Sequence, residues 1–110
     1  MDCEVLGTTK FGPRVRRYTL NKILSDQFAL SLLLNQEPPE EVKNRLRHVD
    51  ASIPIFLLEL CRTTSASYVH LKGQEVTIIS PDGKWDELEP KLYELFKKCF
   101  ASNENFWKRN

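Results

Sequence analysis

Glycine and methionine are scarce in this chain, at 4 and 1 of its 110 residues. The glycines, at positions 7, 12, 73 and 83, stand too far apart for either nucleotide-binding fingerprint, which excludes phosphate cradling by those routes. Cysteine is nearly as thin. Cys3, Cys61 and Cys99 are odd in number and widely spaced, with no C-x-x-C pair, so neither a disulfide scaffold nor a zinc ribbon is expected. With His48 and His70 they do not reach metal-ligand spacing, and nothing in the sequence implies a cofactor. No apolar run approaches the roughly 18 residues of a membrane helix. The start, Met1-Asp2-Cys3-Glu4, is acidic where a signal peptide wants positive charge, so the expectation is an intracellular protein, cytoplasmic or nuclear, with no membrane partner.

Acidic residues are missing from one stretch. Residues 5–25 hold Lys10, Arg14, Arg16, Arg17 and Lys22 and no carboxylate, a local charge of +5 in a chain whose net charge is +1, so the other 89 residues sum to −4. This is a basic arm on a mildly acidic body. At 41% apolar and 28% charged, the composition is that of one ordinary globular domain.

Gly7, Gly12 and Pro13 punctuate residues 7–17, which read as an extended connector or arm. The segmentation is an N-terminal segment at 1–18, an α+β domain at 19–101 and a tail at 102–110. From Thr19, the apolar residues Leu20, Ile23, Leu24, Phe28, Leu30, Leu32, Leu33 and Leu34 cover a broad arc at 3.6 residues per turn, which predicts a first, mostly buried helix ending before Pro38-Pro39. Pro39 then opens a short second helix, with Glu40 and Glu41 at its positive end and Arg45 and Arg47 at its negative end. Asp50 or Ser52 caps a third over IPIFLLELCR, where Ser52, Glu59 and Arg62 line up as one polar stripe.

The period changes at Tyr68. Residues 68–71 and 76–80, rich in β-branched and aromatic side chains around Gly73, predict a β-hairpin, and Ser80-Pro81-Asp82-Gly83 is a type I turn signal. Leu88, Leu92, Leu95, Phe96 and Cys99 make the apolar stripe of a last helix, with Pro90 assigned to its first turn. The predicted fold is therefore α+β, about four helices packed on a small antiparallel hairpin, with Cys3–Leu6 able to add a third strand.

Catalytic readings are weak. His70 belongs on the outer face of its strand, Glu59 on a solvated stripe, and Cys61 and Cys99 read as small core residues, so no enzyme activity is expected. A two-stranded hairpin is marginal alone, and its edges present unpaired amides and carbonyls. The leading expectation is accordingly a non-catalytic protein–protein interaction module, an adaptor or complex subunit, that uses an apolar helix face and a sheet edge to meet another protein or a second copy of itself. Phe11, Val15 and Tyr18, alternating with cations as an added edge strand would, and the tail aromatics Phe106 and Trp107 are its candidate partner-binding residues. The alternative is a nucleic-acid-binding accessory protein whose Lys10, Arg14, Arg16, Arg17 and Lys22 neutralise phosphates beside aromatic rings.

Overall fold

A computed structural model describes residues 3–101, and the side chains of all of these except 25–28 and 101. Five strands form one antiparallel sheet: β1 Val5–Lys10, β2 Val15–Leu20, β3 Ser25–Leu33, β4 Tyr68–Gly73 and β5 Glu75–Ile79, in the order β1-β2-β5-β4-β3. Three α-helices, α1 Glu40–Leu46, α2 Ser52–Thr63 and α3 Trp85–Phe96, complete the domain, with a π-helical turn at Lys97–Ala101. The class is α+β, but the arrangement of four helices on a small hairpin is wrong on two counts.

The first is the Leu-rich run. Residues 20–34, expected as a helix, instead finish β2, cross over and form β3. The broad apolar arc conceals a period of two: Leu30 and Leu32 point into the core, while Ser31 and Leu33 face away. Helix propensity favours leucine, but pairing with β4 (Leu30 with Leu71, Leu32 with Val69) buries the run on a sheet, and tertiary burial overrides propensity.

The second is the arm. Residues 7–17 lie in β1, a turn and β2, where Gly12 supplies the positive φ of +98° and Pro13 follows it. The N-terminal strand exists, but it runs Val5–Lys10 and pairs with β2, not with the hairpin at 68–80. That hairpin occupies the middle of the sheet. Its two-residue turn places Gly73, at φ +59°, in the position where a type II′ turn requires positive φ. The 21–24 crossover passes over this turn: Leu20 N–H donates to Gln74 O at 2.8 Å and Leu24 N–H to Gly73 O at 2.8 Å.

Strand alternation then sorts the side chains. Tyr18, Leu20, Val76, Ile78, Val69, Leu71, Leu30 and Leu32 face α2 and α3 and are all nearly fully buried. Helix α2 brings Ile53, Phe56, Leu57 and Leu60, and α3 brings Leu88, Leu92, Leu95 and Phe96. Phe96 stacks on Phe56 at 5.5 Å and meets Tyr18 edge-on at 6.0 Å, joining both helices to the sheet. Because α3 begins at Trp85, Pro90 lies in its second turn rather than its first. Asp50 contributes to the start of α2 by accepting from Ser52 N–H at 2.8 Å, although Ala51 is the capping residue.

Candidate interaction edge at β1

The order of strands determines which backbone remains unpaired. β1 and β3 are the two edges. The β3 edge is met by a helix at one point, where Arg45 of α1 donates to Ala29 O at 3.2 Å, while the backbones of Ser31 and Leu33 also face outward there; the Cys61 thiol of α2 donates to Leu34 O just beyond the strand. At the β1 edge the same alternation applies. Phe11 N–H donates to Val15 O at 2.9 Å, so by antiparallel alternation Gly7 and Thr9 also turn their polar backbone inward, and those of Thr8 and Lys10 point outward. Among the described residues nothing bonds to them.

A groove runs alongside. Its volume is about 490 Å³, and Leu6, Thr8, Tyr93, Phe96 and Lys97 line it, with Glu4 and Cys3 at one end. The register explains its composition. One row crosses the sheet as Leu30, Leu71, Val76, Tyr18 and Thr8, apolar over four strands and polar at the edge, where the Thr8 hydroxyl bonds Tyr93. The next row runs Leu32, Val69, Ile78, Arg16 and Lys10. A register shift between Val5 and Gly7 inserts Leu6, which is 62% exposed at the groove's rim. At Gly7 no heavy atom would lie within 4 Å of an added Cβ, so the sheet face is uncovered there.

Beneath the edge, Glu89 of α3 collects two donors from β2. Its Oε2 accepts from Arg16 Nη1 at 2.6 Å and from the Tyr18 hydroxyl at 2.8 Å. Arg16 also lies over the Trp85 ring, 4.8 Å from its centroid, and Trp85 Nε1–H donates to Pro13 O at 2.8 Å. Burial, then the neighbouring Glu89 carboxylate, raises the Tyr18 phenol well above its ordinary value. Tyr93 is raised for the same leading reason, burial, with Glu89 second. Burial likewise pushes up the Cys3 and Cys99 thiols. Asp82, by contrast, is held below the usual carboxylate range, first by the Lys84 backbone amide and then by the Ser80 hydroxyl.

The sequence-selected residues are dispersed by this geometry. Tyr18 is fully buried in the core, whereas Phe11 is 49% exposed beside Arg17, at 4.8 Å, on the face away from the helices, which Val15 shares. Phe106 and Trp107 lie outside the described residues. Arg16 and Arg17 point to opposite faces of the sheet, and Arg17 donates to Thr77 Oγ1 at 3.2 Å. Lys22 donates to Phe100 O at 2.7 Å. Lys10, Arg14 and Arg17 therefore hold the charge that faces outward at the β1–β2 turn, with no described carboxylate in ion-pair reach.

The residues weighed for chemistry do not assemble. His70 Nδ1 meets Ser31 Oγ at 2.6 Å on the outer face, and Glu59 pairs with Arg62 at 3.1 Å and Lys98 at 3.8 Å. No three His, Cys, Asp or Glu among the described residues gather closely enough to hold a metal ion. Likewise no described helix is long and apolar enough to cross a membrane. The groove residues Leu6, Thr8, Tyr93 and Lys97 escaped sequence reasoning because they meet only through sheet order, and the acid-free stretch at 5–25 was the one local signal near them. No family model, no curated protein and no solved structure matches the chain.

Proposed function

We propose that the protein is a non-catalytic interaction module whose β1 edge takes an extended segment of a partner protein as a sixth strand. The observation that carries this reading is the outward backbone of Thr8 and Lys10 beside a groove that offers room for the added strand's side chains. In strand addition, main-chain hydrogen bonds provide affinity, and pockets for alternate side chains provide specificity. The helix face has no part in this reading, since residues 20–34 form no helix and the exposed α2 residues Ile55 and Leu58, at 53% and 60%, do not line the groove.

The nucleic-acid alternative draws less support from the geometry. Of its five cations, Arg16 is committed to Glu89 and Lys22 to a backbone carbonyl, so a continuous phosphate-binding tract is broken.

A photo-crosslinking amino acid placed at position 6 in the full chain tests the reading, with position 58 as control. The same partner should be captured from position 6, not from 58, and lost when Thr8→Pro removes an outward amide. Equal capture from both positions, or capture that survives Thr8→Pro, contradicts strand addition at this edge.

A further inference from the structure

The two ends of the β1 edge differ in charge, and the difference specifies the segment that fits. At the Cys3 end the lining includes one carboxylate, Glu4, and one cation, Lys97, which offset each other. In the middle, Leu6 and the ring of Tyr93, 36% exposed, present apolar surface beside Thr8. Towards the turn stand Lys10 and Arg14, with Arg17 behind them on the other face. Of the carboxylates in that direction, Glu89 is already occupied by Arg16 and Tyr18, and Asp86 and Glu87, which line a pocket with Arg16, make no ion pair with Lys10 or Arg14. The edge is thus apolar over its middle and, among the described residues, carries cations outside any ion pair at its Lys10 end.

Side chains that share a face of a strand recur every second residue, at about 6.6 Å. Thr8 and Lys10 are two apart and on the face of the sheet that α3 covers, as are Tyr18 and Arg16 opposite them. A strand added antiparallel to β1 would therefore place one groove-facing residue against Thr8 and Tyr93 and the next such residue, nearer its own N-terminus, against Lys10.

Building on the strand-addition reading, we propose that the partner of the β1 edge is an acidic extended segment of another protein. Its groove-facing positions read acid-x-apolar, with the acid against Lys10 and Arg14 and the apolar residue over Tyr93. Opposite charge across adjacent strands is favourable, and like charge is not, so the Lys10 end both recruits acidic segments and rejects basic ones. Orienting this charge along the strand also selects the antiparallel direction, because a parallel segment of the same sequence would carry its acid to Leu6, away from Lys10 and Arg14.

The test uses the full chain and two fluorescein-labelled peptides, Glu-Ser-Glu-Thr-Val-Thr-Val-Ser and its counterpart Lys-Ser-Lys-Thr-Val-Thr-Val-Ser, in an anisotropy titration at low salt. The acidic peptide should bind about five- to tenfold more tightly, as expected for one or two exposed charge pairs. Lys10→Glu with Arg14→Glu should reverse that order, and Thr8→Pro should abolish binding of both peptides. Leu6→Asp, which leaves every backbone amide in place, should weaken the acidic peptide as well and serves as the second variant if Thr8→Pro lowers the melting temperature. Two peptides bound equally in the parent, with binding still lost in Thr8→Pro, overturn the acidic partner and leave strand addition standing. Charge preference that survives in Thr8→Pro and Leu6→Asp overturns both, because attraction to the basic turn then needs no edge. Absence of binding by either peptide up to millimolar concentration also overturns the proposal, while the crosslinking experiment still decides the edge itself.

Discussion

Arg16 and Glu89 meet at 2.6 Å across 73 residues of sequence and fasten α3 to β2 directly behind the open edge. Their side chains are 17% and 26% exposed, and the Tyr18 hydroxyl shares the same carboxylate oxygen, so the pair belongs to a partly desolvated network. Such a network is costly to break at one member, because the remaining groups keep their burial and lose their partner.

Glu89→Ala should therefore destabilise the fold by about 1–3 kcal/mol. Chemical denaturation checks it, and Arg16→Ala in the same background should cost less than it does alone, since the shared Glu89 contact is already gone and the Trp85 contact remains to be lost.

The basic stretch should divide by face. Lys10→Ala and Arg14→Ala are expected to change stability by no more than about 0.5 kcal/mol, as for surface positions without partners, while Arg16→Ala is clearly destabilising. Equal losses at all three would show that the arm braces the acidic body as a unit.

Alkaline denaturation should report Tyr18. Its phenol is raised by burial and then by Glu89, so the unfolded chain ionises first, near the ordinary value of 10.0. The contribution to stability is complete below that pH and is lost as pH rises above it, by up to about 1.4 kcal/mol per pH unit. Tyr18→Phe should flatten this part of the profile relative to the parent. The raised Cys3 and Cys99 thiols begin their own decline about a unit lower and remain in both proteins.

Gly83→Ala should cost about 1–2 kcal/mol from its left-handed φ of +66° alone. A Cβ there would also lie 3.1 Å from Pro13 O, the carbonyl that accepts from Trp85. The substitution thus strains the seat of the β1–β2 turn on α3, and its loss should exceed that of Gly73→Ala, where a Cβ meets nothing within 4 Å.

How far the fold could be read from the sequence depended on whether burial left a periodic signature. The stripe from Leu88 to Phe96 repeats every turn because one side of α3 meets water, and the alternation from Tyr68 to Ile79 repeats every two residues for the same reason. Between Leu30 and Leu34 four of five residues are leucine, so both periods fit and the helical preference of leucine tipped the reading the wrong way. The stretch from Val15 to Leu20 carries a strand pattern, with Tyr18 and Leu20 buried and Arg17 turned away, but Gly12-Pro13 punctuates the sequence as an extended connector would and in the structure forms a turn. The edge site was least legible of all. Thr8 meets Tyr93 only because β5 and β4 insert between β2 and β3 and leave β1 outermost, a consequence of strand order that no local window contains.

Residue-resolved hydrogen exchange along β1, with and without the acidic peptide, tests the central claim most directly. In the free protein Gly7, Thr9 and Phe11 amides should exchange slowly and Thr8 and Lys10 rapidly, the alternation of a one-sided edge. Saturating peptide should slow Thr8 and Lys10 by about tenfold or more while leaving the rest of the sheet unchanged. Bound peptide with Thr8 and Lys10 still exchanging rapidly would contradict strand addition at β1.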